Sequence, residues 1–193
     1  ALNVMRTVEE LETAGVCAAS IEDTELPQPF GSVGTPRMLS IEEGAGKMKA
    51  AVEARQDPKF VIAGRTSACT ISDVDDCIAR VKAYEAAGVD MIFLAGVKSN
   101  EQIEAVAAEV NVPMIIGGGP APDLELYSKL GVRISLQGHK PIMAAVQGVY
   151  DTLKALRDGV PHSDIEYYAK PDLMKQVTRS GDYDSWMKDF LGG

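Results

Sequence analysis

Charged or titratable side chains appear in this sequence where short apolar runs give out. Glu22 and Asp23 follow Val16 to Ile21, Arg65 follows Phe60 to Ala63 in Gly64-Arg65-Thr66, and His139 follows Arg133 to Leu136 in Gln137-Gly138-His139. A carboxylate pair, a guanidinium and one of only two histidines suit the binding of a small charged ligand, if the chain brings them to one face. One polar residue after a buried strand needs no function, because the chain reaches solvent there. Three strand ends with charged or titratable groups favour a site. His139 lies between Gly138 and Pro141, on a tight turn into a helix, and is expected to face that site. His162, in Pro161-His162-Ser163, reads as a solvated linker residue. Directly after Glu22-Asp23 comes the longest loop, Thr24 to Arg37, with Pro27, Pro29, Gly31, Gly34 and Pro36 around Phe30. Loops this long inside a compact domain commonly act as lids, and a lid beside a carboxylate pair suits a site that excludes water.

The elements that must position these groups alternate. The apolar runs Val16 to Ile21, Phe60 to Ala63, Met91 to Ala95, Pro113 to Ile116 and Arg133 to Leu136 are too short for helices and read as strands covered on both faces. Between them Ser40 to Arg55, Ile71 to Ala87, Asn100 to Val110, Asp123 to Leu130 and Lys140 to Arg157 read as helices. Val74, Cys77, Ile78, Val81 and Tyr84, for example, recur at helical spacing. The segments ending Ala14-Gly15-Val16, Ala87-Gly88-Val89 and Leu130-Gly131-Val132 repeat one turn, in which Gly stops a helix and Val starts a strand. Such a run of βα units makes an open doubly wound sheet or a closed (β/α)8 barrel. Both bind ligands at the carboxyl ends of their strands.

With 19 Lys and Arg against 28 Asp and Glu, the net charge of −9 argues against nucleic-acid binding, which needs clustered cations. No apolar stretch approaches the roughly 20 residues of a membrane span. Cys17, Cys69 and Cys77 have no paired spacing, and with no export signal visible they point to a reduced, cytoplasmic setting. Gly117-Gly118-Gly119-Pro120 reads as a structural turn, not a phosphate loop, because two nearby prolines remove N–H donors. Glu42-Glu43 behind Ser40, and Asp73, Asp75 and Asp76 behind Ser72, are explained by helix capping and not by metal binding. Trp186, Phe190 and Leu191 stripe a C-terminal helix that packs on a body or a partner subunit.

Ala18-Ala19-Ser20-Ile21-Glu22-Asp23, then Ala63-Gly64-Arg65-Thr66 and Leu136-Gln137-Gly138-His139, resemble the isocitrate lyase / phosphoenolpyruvate mutase superfamily, above all its oxaloacetate decarboxylase branch. The resemblance covers Leu2 to Arg157. It implies an α/β fold, a (β/α)8 TIM barrel present as its C-terminal five βα units over residues 1–159, with a helical tail at 160–193. It also implies a homotetramer that exchanges its C-terminal helix, a small 2-oxo acid substrate, and Mg²⁺, or Mn²⁺ in its place. By position Glu22 holds the metal through water, Arg65 grips a substrate carboxylate, and His139 stands near the substrate. The family's direct aspartate ligands belong to strands that would precede Ala1.

The lid, with Pro27, Phe30 and Gly31, lacks the Lys-Lys-Cys-Gly-His acid motif of the carbon–carbon bond lyases, and Gly117 to Gly119 replace a family tyrosine. The expected activity is therefore metal-dependent decarboxylation of oxaloacetate or a close 2-oxo diacid to pyruvate. The alternatives are a non-catalytic truncated barrel acting as partner or scaffold, and a phosphonopyruvate hydrolase or a lyase of the branched-malate or methylisocitrate type.

Overall fold

The structure is a computed structural model that describes every residue except Gln28, Pro29, Ser32, Val33, Thr35, Tyr167 and Gly193. Its elements in order are α1 Leu2–Thr13, β1 Ala18–Glu22, α2 Ile41–Ala54, β2 Val61–Thr66, α3 Ala68–Ile71, α4 Val74–Ala86, β3 Met91–Ala95, α5 Asn100–Ala107, β4 Met114–Gly117, α6 Leu124–Lys129, β5 Val132–Leu136, α7 Lys140–Arg157, α8 Pro171–Val177 and α9 Ser180–Leu191, with a 3₁₀ turn at His162–Asp164. Two compact units divide the chain, Ala1–Gly138 and His139–Gly193. Helix α7 thus groups with the C-terminal segment, whereas the boundary expected from the resemblance lies after residue 159.

In the first unit the five strands are all parallel and neighbour one another in chain order. Doubly wound sheets reverse their strand order at a switch point, and this sheet has no reversal. Right-handed crossovers that always step the same way place every helix on one face. The other face becomes the inside of a barrel wall. The sheet is thus five successive βα units of a (β/α)8 barrel, the fold class expected from the sequence.

Register shows the division of labour between the two faces. Ile21, Gly64, Ile92, Met114 and Val132 line up across the strands, and all five are buried towards the helices. With Leu94 and Ile116 they pack on Val8, Met48, Cys77, Val81, Tyr84, Ile103 and Val106 in one core. Each large aliphatic side chain so buried contributes about 1.5–3 kcal/mol. The next row is Glu22, Arg65, Phe93 and Ile115, on the inner face because strand side chains alternate, and Ile134 stands opposite Ile115 because the β4–β5 register shifts between Met114 and Ile115.

Local signals set the helix ends. Ser40 caps α2 by accepting the Glu43 N–H at 3.1 Å, as the capping box predicts. Helix α4 starts at Val74, three residues after the expected Ile71, because Asp73 and not Ser72 is its cap, accepting the Asp76 N–H at 2.8 Å. Helix α5 ends at Ala107, before the expected Val110. The short α3 follows the β2 end directly and has too few residues to show a period in sequence.

In the second unit α7 spans the expected residues and leaves Ile142, Val146, Val149 and Leu153 exposed along one stripe. Trp186 of α9 meets Tyr183 edge-on with ring centroids 5.1 Å apart, and the Arg179 guanidinium lies 5.6 Å from its ring. Phe190 and Leu191 are exposed. Among the described residues no helix is long and apolar enough to cross a membrane.

Candidate active site

The inner row places Glu22 beside Arg65 at the carboxyl ends of β1 and β2. Arg65 Nη2 stands 3.2 Å from Glu22 Oε2, and the guanidinium carbon lies 5.2 Å from the centre of the Phe93 ring. The aromatic face and the carboxylate hold the guanidinium plane from two sides. Arg65 Nε is buried and has no hydrogen-bond partner. A donor shielded from water and left unpaired is costly in an empty site and favourable once an acceptor arrives. Nε and Nη2 lie on one edge of the guanidinium and form the fork that grips a carboxylate in two-point contact.

An open cavity of about 330 Å³ adjoins the Glu22 side of this pair, lined by Glu22, Thr24, Pro36, Ser67, Thr70 and Gly96 among others. Its floor is the strand ends and its side is the base of the long loop. Thr70 Oγ1 donates to the Gly96 carbonyl, which fixes α3 to the end of β3. Glycine is required nearby on steric grounds. A Cβ at Gly117 would meet the Phe93 ring at 2.6 Å, and one at Gly119 would meet Val97 at 2.9 Å, with φ of 104° at Gly119. The Gly117–Gly119 segment is the structural turn expected of it, and Phe93 fills the space a side chain at 117 would enter.

Asp23 is not in this site. As the residue after Glu22 it points to the opposite face, where it is fully buried and accepts the Tyr84 hydroxyl at 2.6 Å and Arg80 Nη1 at 3.3 Å. The carboxylate pair expected of Glu22 and Asp23 is thus one inward and one outward group, by strand alternation. Burial, and then the Asp23 carboxylate, push the Tyr84 hydroxyl up from its ordinary pKa. Burial works against the Arg80 charge, but hydrogen bonding to Asp76 and Tyr84 outweighs it and raises that pKa too.

The loop that begins at Asp23 has a two-stranded neck. Thr24 bridges Met38, Glu25 N–H donates to the Arg37 carbonyl at 2.8 Å, and Leu39 N–H donates to the Asp23 carbonyl at 2.9 Å. Of the expected lid residues, Pro27, Phe30 and Gly31 are exposed, while Gln28 and Pro29 lie outside the described residues.

Glu22 and Arg65 are brought together as expected; His139 opens the second unit. It is the exposed N-cap of α7, its carbonyl accepts the Met143 N–H at 3.3 Å, and Gly138 before it has φ of 77°. Lys47, Arg80 and Phe93 are additions the sequence reading misses. Lys47 Nζ donates to the Glu22 carbonyl at 2.7 Å. Arg80 is readable in retrospect, since it falls three residues after Cys77 and four before Tyr84, on the buried stripe of α4.

A magnesium ion needs about six oxygen ligands and usually keeps several waters. Among the described residues no group of three or more His, Cys, Asp or Glu could hold a metal ion. Glu22 alone fits a contact through water; the described residues do not make a direct metal site.

The family model for phosphoenolpyruvate phosphomutase matches residues 1–157. The chain belongs to that family. It is 50% identical over 194 residues to an oxaloacetate decarboxylase of Rhodopseudomonas palustris strain HaA2, covering 100% of this chain and 67% of the relative. A phosphoenolpyruvate phosphomutase from Streptomyces platensis subsp. rosaceus superposes with a TM-score of 0.78 at 24% identity, over 98% of this chain and 69% of that one. A phosphonopyruvate hydrolase solved with oxalate and Mg²⁺ gives a TM-score of 0.74 at 26% identity, over 98% and 68%. The family is one of enzymes, and the sequence relative is by name a carboxy-lyase.

Proposed function

We propose that the protein decarboxylates oxaloacetate, or a close 2-oxo diacid, to pyruvate and CO₂. The observation that carries this is Arg65, whose Nε is buried and unpaired while its Nη2 pairs with Glu22 at the strand ends. The unpaired Nε–H is a donor for one carboxylate of a diacid, beside an Nη2 already held by Glu22. The identity to a decarboxylase supports the same substrate.

Arg65 binds the carboxylate that is retained, because a cation against the leaving carboxylate would oppose its departure as neutral CO₂. The bond between C3 and C4 then breaks heterolytically, its electron pair moves onto the C2 carbonyl oxygen, and an enolate of pyruvate remains. A proton from water at C3 completes pyruvate. Mg²⁺, or Mn²⁺ in its place, would when bound supply a Lewis acid for the enolate oxygen, with Glu22 reaching it through water. His139 keeps the substrate-side role that the resemblance gives its position. The homotetramer with an exchanged C-terminal helix belongs to the same proposal, supported by the exposed apolar stripe of α7.

A substrate panel tests it. The intact protein with MgCl₂ is expected to release pyruvate from oxaloacetate faster than from phosphonopyruvate or a branched malate. Preference for phosphonopyruvate or the malate would overturn the assignment in favour of the hydrolase or the lyase.

A further inference from the structure

The buried group around Asp23 lies on the opposite side of the sheet from the substrate cavity, and the decarboxylation does not use it. Its parts are arranged on one ridge. Asp76, Arg80 and Tyr84 follow at steps of four along α4. Arg80 Nε is held by Asp76 at 3.0 Å, and Arg80 Nη1 reaches both Asp23 Oδ2 at 3.3 Å and the Leu39 carbonyl at 2.9 Å. One nitrogen therefore ties the outgoing stem of the long loop, at Asp23, to its returning stem, at Leu39. Tyr84 completes the clamp by donating to Asp23 Oδ2.

Tyr84 also occupies the space left by two glycines. A Cβ at Gly64, next to Arg65, would come within 3.1 Å of the Tyr84 Cβ, and one at Gly44 would come within 2.6 Å of its hydroxyl oxygen. The ring is thus wedged beneath the strand residue before Arg65, while its hydroxyl holds the residue after Glu22. Backbone pairing carries the connection on, since Asp23 N–H donates to the Arg65 carbonyl at 3.3 Å. Both site residues are gripped one position away, from beneath.

We infer that Asp23, Arg80 and Tyr84 are positioning residues, a clamp on the helix side of the sheet that sets the placement of Glu22 against Arg65 and fixes the neck of the loop above them. The inference rests on the proposed reaction for its catalytic consequence.

Tyr84→Phe deletes the hydroxyl and keeps the wedge beneath Gly64. In the intact protein three quantities are read for it: the thermal midpoint, the Kd for oxalate with MgCl₂ by calorimetry, and the crystal structure around Glu22. The expected result is a Glu22 carboxylate displaced from its pairing with Arg65, an oxalate Kd weakened about tenfold, and a thermal midpoint lowered by only a few degrees. A Glu22–Arg65 pair unchanged in the Tyr84→Phe crystal structure overturns the inference, whatever the midpoint does. If the wild-type protein binds no oxalate, the reaction assignment falls, and the crystal structure alone still decides the positioning claim. Arg80→Lys, which keeps the charge but cannot span both stems, is expected to displace Glu22 in the same way.

Discussion

Asp23→Ala measures how much the fold depends on the clamp. The substitution removes the acceptor for the Tyr84 hydroxyl, at 2.6 Å, and one of the two carboxylates that compensate Arg80. Tyr84 is fully buried, so its hydroxyl finds no water and is left unpaired, at about 1–3 kcal/mol. Breaking a buried ion pair from one side costs roughly 3–5 kcal/mol. Here the lower end applies, because Arg80 keeps Asp76 and the Leu39 carbonyl. The two terms together give an expected loss of about 4–6 kcal/mol, a large share of the roughly 5–15 kcal/mol that holds a domain together. Tyr84→Phe alone should cost about 1 kcal/mol, since Asp23 then keeps Arg80. Urea unfolding of both variants and of the double variant closes a cycle, in which the two losses fail to add by roughly 1 kcal/mol or more. A loss below about 1 kcal/mol for Asp23→Ala, or a coupling of zero, refutes the reading that these side chains act as one network.

Other variants probe the inner face and the titration of the core. Arg65→Lys keeps the charge but loses the fork and the plane over Phe93, so kcat/KM for oxaloacetate should fall about 10- to 100-fold in steady-state assays, with the thermal midpoint nearly unchanged. Gly117→Ala drives a methyl group into the Phe93 ring and should destabilise by about 1–3 kcal/mol, a loss that Phe93→Leu in the same chain partly recovers. Because the Tyr84 pKa is raised on folding, its contribution is intact below the unfolded value near 10 and is lost as pH rises above it. The unfolded chain then binds fewer protons than the folded one, and stability should fall by up to about 1.4 kcal/mol per pH unit from pH 10 upward. Tyr84→Phe should make that alkaline slope shallower, with Tyr127, raised by burial, and Cys77, raised by its hydrogen bond with Cys69, keeping the remainder; a slope unchanged in the variant would refute the assignment to Tyr84.

The strands were legible because each is a short apolar run, four of them ended directly by glycine or a charge and the fifth by Gln137-Gly138. Met91–Ala95 and Lys140–Arg157 match residue for residue, and the other four runs lie within one to three residues of the strands found. The choice between an open sheet and a barrel wall rests on strand order, which no local pattern carries; the family resemblance supplied it. The site was half legible. Arg65 and Glu22 meet because parallel register sets them side by side, and their motifs marked them. Asp23 reads as a partner of Glu22 only if strand alternation is ignored, for adjacent strand residues face opposite ways. Arg80 was hidden by its charge, since a charged residue on a helix is ordinarily solvated, and only its phase with Cys77 and Tyr84 places it inside. Phe93 sits in an apolar run that reads as uniformly covered, so its exposure to the cavity side needed the sheet itself.

The most direct test of the central claim is pyruvate release from oxaloacetate by the intact protein with MgCl₂, set against the spontaneous rate in the same buffer and against the Arg65→Ala variant. Turnover well above the spontaneous rate is expected for the wild-type protein, and a rate near the spontaneous one for Arg65→Ala. Wild-type release no faster than buffer, or full turnover by Arg65→Ala, would contradict that claim.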